Sequence, residues 1–276
     1  MIILRFRYLI PITSYVLNTR SPVQCNCSNH TTLDQQGIHI TSVCGTDAAP
    51  SIIHDKLVHT LNQFIRFAGH RTTVEPKGCF SLYSDTNARP DISVQSYSTS
   101  QEKTLIDVSL TSPITSDNNG RLILKTGTPI SSTSIKSHAA SLRFKDKQNK
   151  YKKIIDKAII KDNLAGNFHS NYKVLPFIFQ TSGLIHHEAI SYISDLAELA
   201  SKDTSVPKEN LKTYFLKRLN ICLVTSIADA MLYKFHKLAT TSSAGNNLFI
   251  LSQVEQNLYS ALSVAREENP SILYTN

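Results

Sequence analysis

A chain of 276 residues, 41% hydrophobic and 18% charged, with nine glycines and ten prolines, has a globular composition and can bury a sizeable core, which excludes the disordered and fibrous classes. Its formal net charge of +8 points toward a polyanionic partner, because lysine and arginine contacts to phosphate release condensed counterions. Five cysteines, three of them within one short stretch, are too few and too unevenly placed for a disulfide scaffold.

The opening MIILRFRYLIPITSYVL is the only candidate for targeting or membrane insertion. Arg5, Arg7 and Pro11 interrupt it, and its apolar run falls short of the ~20 residues of a spanning helix. It reads as a core or interface segment, and no membrane partner is expected; the sequons at Asn26 and Asn29 bear only on a secretory reading. Residues 25–44 then look like a small ligand-rich module. Thiolates and an imidazole at Cys25, Cys27, His39 and Cys44 would form a tetrahedral structural Zn²⁺ site, which suits a loop-rich segment without a core of its own. His30 is the alternative to His39, and free cysteines in a reducing compartment are the competing reading.

After Pro50, Ile53, Leu57, Leu61, Phe64 and Ile65 recur at helical spacing, and Gly69 follows as a stop. Thr72 to Glu75 is a short strand ended by Pro76, and Phe80 to Tyr83 is a further strand candidate. RPDISVQSYSTSQEKTLIDVSL, from Arg89 to Leu110, holds two alternating runs joined by a polar turn. Thr115 to Ser134 reads as a long loop in which Arg121 to Lys125 is a candidate strand. Helix returns from Ser137 to Lys161, with Tyr151, Ile154, Ile155, Ala158 and Ile159 as its apolar stripe. Val174 to Gln180 is a strand whose Pro176 places it near an edge or a strand start. His187 to Ala200, Lys208 to Leu238 and Leu248 to Glu267 are helical. Phosphate-loop, dinucleotide, nucleophile-elbow and His-Glu-x-x-His motifs are missing from the sequence.

Alternation puts Asp107 on one strand face with Leu105 and Ser109, and Ile106, Val108 and Leu110 on the other. Asp91 follows Pro90, which favours a strand start where a carboxylate stays accessible. If the two runs pair, both carboxylates converge at one end of the sheet, with Glu75 as a third. Such a group beside lysines suits Mg²⁺, or Mn²⁺ in its place, completed by substrate phosphate. Lys147, Lys150 and Tyr151 lie three and four apart on the later helix, share a face, and can point together at a phosphate. Taken singly, Asp91 is a turn-capping residue, Asp107 a polar-face residue and the lysines a solvated run. His54, His59, His138, His186 and His187 read as surface or satisfied residues.

Arg89-Pro90-Asp91, then Asp107-Val108, then Lys147-x-x-Lys150-Tyr151 resemble the restriction-like endonuclease domain at the C-terminal end of non-LTR retrotransposon reverse transcriptases, within the PD-(D/E)XK nuclease superfamily. Leu4 to Leu9 is similar to the segment leading out of the polymerase region, and Cys25-x-Cys27 with His39 and Cys44 to the knuckle that precedes the nuclease. Ile53-His54-Asp55 stands in place of an Arg-His-Asn helix start, and Val74-Glu75-Pro76 matches a Glu-Pro strand. Val174 to Gly183 resembles the Pro-containing strand, and Leu219 to Met231 the late helix. The resemblance implies an α/β fold, a restriction-endonuclease-like mixed sheet flanked by helices with an N-terminal zinc knuckle and a helical C-terminal extension. The expected layout is a linker remnant at 1–24, knuckle at 25–48, nuclease at 50–200 and extension at 201–276.

It further implies Asp91 and Asp107 as metal ligands, Glu75 as ligand or supporting carboxylate, and Lys147 as the charge-stabilising lysine with Lys150 and Tyr151 beside it. The implied activity is metal-dependent nicking of target DNA to prime reverse transcription. Implied partners are DNA, RNA and a polymerase region, in the nucleus or otherwise the cytoplasm. Two readings compete: a nucleic-acid-binding remnant that has lost cleavage, and a helical protein-interaction domain. The sequence departs from the pattern at Ser109, where the superfamily commonly has its lysine, and at Ile53 and Asp55; it also carries no polymerase.

Overall fold

The computed structural model describes residues 24–27, 32–42, 44, 49–76, 89–95, 103–116, 122–124, 138–165 and 172–241. The opening segment, His30, Cys79, the expected strand Phe80 to Tyr83 and the expected helix Leu248 to Glu267 lie outside them. By contacts the chain forms two compact units: 51–113 with 124–226, and 1–50 with 114–123 and 227–276.

The larger unit is built on a four-stranded sheet of β1 (Arg71–Val74), β2 (Ile92–Gln95), β3 (Lys103–Thr111) and β6 (Tyr172–Gln180), in the spatial order β1-β2-β3-β6. The first two pairings are antiparallel, with Val74 against Ile92 and Ile92 against Ile106. β3 and β6 run parallel, so the chain must cross over between them, and helix α3 (His138–Ala165) lies within that connection. Pro176 stands opposite Asp107 on the edge strand β6, where a residue without an N–H is tolerated.

Both faces of β3 are covered. Leu105 packs with Tyr151 and Ile154 of α3, joined by Ile155 and Val174. Ile106, Val108, Phe177 and Phe179 are buried on the opposite face, where the two phenylalanine rings meet at 5.2 Å. Central strands buried on both sides read as continuous apolar runs, and here Asp107 and Ser109 interrupt one. Their burial beneath a helix marks them as residues held for a reason other than packing.

Helix α2 (Ala49–Phe67) buries Ile53, Leu57, Leu61 and Ile65 along the expected stripe. Its end is a Schellman motif: Gly69 adopts φ +85 and donates to Arg66 O, while His70 N reaches Ile65 O. Phe64 stacks on Phe215 at 4.4 Å, where α5 (Lys208–Thr241) begins its course. Helix α4 (His187–Asp203) is capped by His186, whose Nδ1 accepts from Glu188 N and whose ring stacks on Phe144. Among the described residues no helix is long and apolar enough to cross a membrane.

In the smaller unit, the 24–44 segment carries helix α1 (Ile38–Ser42), which packs on β4 (Ile114–Ser116). β4 and β5 (Leu122–Leu124) form a two-stranded sheet. That corrects the expectation of a loop from Thr115: the Ser- and Thr-rich composition hides a strand because its partner is local and its apolar content is one isoleucine and three β5 residues. The strand expected within Arg121 to Lys125 is β5.

Candidate functional site

β2 begins one residue after Asp91, and the backbone fixes that residue firmly. Its N–H donates to Ile106 O at 2.9 Å, and its carbonyl accepts from Glu75 N at 2.7 Å. The side chain then turns across the strand pair, where Oδ2 accepts from Val108 N at 2.6 Å. Asp91 is thus tied to the residues on either side of Asp107, and the two carboxylates occupy adjoining places in the sheet.

Asp107 is buried, with its side chain 6% exposed. Tyr151 donates to its Oδ1 at 2.7 Å and also reaches Arg89 O at 3.4 Å. The Lys147 ammonium lies 2.7 Å from the buried Oδ2 and supplies its neutralising charge. Four residues earlier on the same face of α3, Arg143 Nε donates to Ser109 Oγ at 3.0 Å. Arg143, Lys147 and Tyr151 therefore form a row along one face of α3 that matches the Ser109–Asp107 face of β3. The later helix does fold back over the hairpin, and the position left by Ser109 is met by an arginine that the sequence reading did not single out.

Glu75 and Lys150 are placed differently. Glu75 adopts φ +47, an uncommon left-handed conformation for a non-glycine residue, and its half-exposed carboxylate pairs with Arg89 Nη2 at 3.1 Å. It adjoins Asp91 through the backbone and Tyr151 through Arg89. Lys150 is exposed, its ammonium 5.5 Å from the centre of the Tyr151 ring.

His54, set aside as a surface or satisfied residue, belongs to this group. From α2 its Nε2 meets Asp91 Oδ2 at 3.1 Å and its Nδ1 meets Asp55 Oδ1 at 3.0 Å. The hydrogen bond to Asp91, with further support from Asp55, outweighs burial and lifts the imidazole to about 9. Each of the two buried or half-buried aspartates thus faces a cation, His54 at Asp91 and Lys147 at Asp107. Both carboxylates are engaged within the protein, Asp91 by Val108 N and His54 and Asp107 by Tyr151 and Lys147.

The second cluster is Cys25, Cys27, His39 and Cys44, all buried, with ligand atoms within 4.8 Å of one another. Cys25 Sγ lies 3.6 Å from Cys44 Sγ, and Cys27 Sγ lies 3.6 Å from His39 Nε2. A tetrahedron with ordinary zinc bonds has edges of about 3.8 Å between sulfurs and about 3.6 Å between sulfur and nitrogen, whereas a disulfide needs about 2 Å. The residues can therefore hold a metal such as zinc. Burial pushes the Cys25 thiol up to about 12 and holds the His39 imidazole below its ordinary range. A buried metal cation reverses that cost for the thiols and binds the neutral imidazole as it stands.

Local structure aims these ligands. Asp34 accepts from Ile38 N and His39 N at 2.8 and 2.7 Å and so starts α1, and Cys44 N closes on His39 O. Gly37, at φ +73, turns the chain before α1; a Cβ there would sit 3.1 Å from Met231 Cε. Lys234 of α5 is 1% exposed and donates to Asn26, the residue between two of the cysteines. No protein-family model and no curated protein matches the chain.

Proposed function

We propose that this chain is a metal-dependent DNA endonuclease of the restriction-like PD-(D/E)XK kind, the nuclease region that accompanies a non-LTR retrotransposon polymerase, and that it nicks target DNA to leave a 3′ hydroxyl for reverse transcription. The observation that carries this reading is the meeting of Asp91, Asp107 and Lys147, from two paired strands and a helix. Asp91 and Asp107 would hold Mg²⁺, which when bound supplies an activated water and neutralises charge on the leaving oxygen.

The chain's own residues perform the rest. Val108 N–H fixes one Asp91 oxygen, and the Tyr151 hydroxyl and the Lys147 ammonium face the two Asp107 oxygens, so a cation would share these carboxylates with the protein's own partners. Lys147 supplies a positive charge beside Asp107, where a phosphate bridging to the cation would gather negative charge as it is attacked. Arg143 offers guanidinium nitrogens next to it, with Nε anchored on Ser109. Exposed Lys150, Lys153 and Lys157 continue along α3 and would follow the DNA backbone. A zinc-filled knuckle would present further nucleic-acid contacts and join the region to polymerase and RNA partners in the nucleus.

The test is nicking of supercoiled plasmid by the purified chain. Mg²⁺-dependent nicking that disappears in Asp91→Ala and Asp107→Ala is expected. Nicking that survives both substitutions removes the assigned site, and salt-sensitive binding without nicking identifies a binding remnant instead.

A further inference from the structure

We propose that the stacked rings of Phe144, His186 and His187 form a platform for an unpaired nucleobase, so that the outer face of His187 receives a base of a single-stranded DNA segment lying beside the Asp107 cluster. This rests on the nucleic-acid reading above and narrows its substrate from duplex DNA to DNA with an open stretch next to the point of cleavage.

The rings make a continuous column. Phe144 and His186 lie 4.3 Å apart at 12°, and His186 and His187 lie 4.2 Å apart at 39°. Phe144 is half-buried and His186 is 4% exposed, whereas the His187 side chain is 79% exposed, so the column starts inside the protein and ends in solvent. Packing and the capping of α4 account for the inner two rings; they do not account for the third. His187 Nε2 lies 3.6 Å from Glu188 Oε1, so the ring is oriented from one edge and one face while its other face stays open. Bases stack on histidine as on other aromatic side chains, because every base has a π-face. Burial, then the neighbouring His187, holds the His186 imidazole below its ordinary range, and the middle ring stacks as a neutral aromatic.

The backbone ties this column to the site. His186 N donates to Ile178 O at 3.0 Å, and Ile178 stands opposite Ser109 in the β3–β6 pairing. Phe144 follows Arg143, whose Nε donates to Ser109 Oγ, and exposed Lys145 comes next on α3. The rings therefore meet the sheet two residues from Asp107, with a guanidinium at their foot. A nucleotide asks for this combination, a flat surface for its base and positive charge for its phosphate, and an acidic or purely apolar partner would use only half of it.

The experiment uses the full chain with two probes, a deoxythymidine oligomer and an abasic oligomer carrying the same number of phosphates, and measures affinity for each across a salt series. Tighter binding of the thymidine oligomer is expected. His187→Ala should weaken that binding roughly fivefold or more, leave the abasic oligomer unchanged and leave the slope of log affinity against log salt unchanged, because stacking releases no counterions. His187→Phe, which keeps a ring without its nitrogens, should restore the affinity. A loss that phenylalanine does not restore, or one that alters the salt slope, identifies a polar contact and overturns the platform, as does equal binding of the two oligomers. Plasmid nicking separates the two readings. Asp107-dependent nicking with thymidine binding indifferent to His187 leaves the nuclease without the platform, and a His187-dependent base preference without nicking leaves the platform on a protein that does not cleave. Absence of binding to either oligomer at low salt overturns both.

Discussion

Tyr151 decides whether Asp107 can be buried at all. A carboxylate with 6% of its side chain exposed needs its lone pairs satisfied, and the phenol supplies a donor to Oδ1 at 2.7 Å while Lys147 faces Oδ2. Tyr151→Phe keeps the ring that packs on Leu105 and Ile154 but strands Oδ1, so urea denaturation should register a loss of about 2 kcal/mol. His54 leaves a pH signature in the metal-free protein. Folding raises its imidazole from 6.5 to about 9 through Asp91, then Asp55, so the stabilisation is complete below pH 6.5 and is lost as pH rises through about 9. The span is at most about 3 kcal/mol, and His54→Gln should flatten it in denaturation curves taken on either side of that window. Neither residue's partner could be found from spacing. Tyr151 was singled out for its neighbours in the sequence, whereas His54 sits beside the apolar stripe of α2, and nothing in the chain's order links it to Asp91.

Helix α3 gives the lysines two different jobs. Lys147 turns inward onto Asp107, while Lys150, Lys153 and Lys157 are exposed at spacings of three and four. If these three meet phosphates, substituting all three by alanine should reduce the slope of log affinity against log salt by up to about 3, as measured by DNA binding across a salt series. Alternation and proline placement made β2, β3 and β6 legible, because a buried strand and an edge proline leave marks within a few residues. Gly69 likewise marked the end of α2, since a Schellman turn asks for φ above zero. β4 escaped because its pairing with β5, not its composition, makes it a strand. Arg143 escaped because its partner Ser109 lies in another element, and a lone arginine on a helix carries no signal of what it will face.

The two compact units answer to different agents. Zinc at Cys25, Cys27, His39 and Cys44 would bring three thiolates against two positive charges, leaving one net negative charge in a buried place. Lys234, buried and bonded to Asn26, is suited to offset it. Metal analysis of the purified chain should give one zinc, lost in Cys27→Ala. Lys234→Met should raise the fraction of zinc surrendered to a chelator, with an affinity loss of roughly tenfold. The cysteine cluster was legible in the sequence because short-range ligands announce themselves by proximity. The carboxylate cluster was legible only in outline, as an order of residues whose meeting depends on tertiary structure.

The parallel pairing of β3 with β6 has a consequence for the order in which the molecule comes into being. His54, Asp91, Asp107, Lys147 and Tyr151 all precede Tyr172, so a growing chain carries the entire carboxylate cluster before it carries the strand that completes the sheet. Non-local parallel pairing has to wait for loop closure, and it forms late. A nascent chain on the ribosome would therefore carry the whole cluster on an incomplete sheet until Gln180 had emerged, and the core around Leu105 would gain Val174 only then.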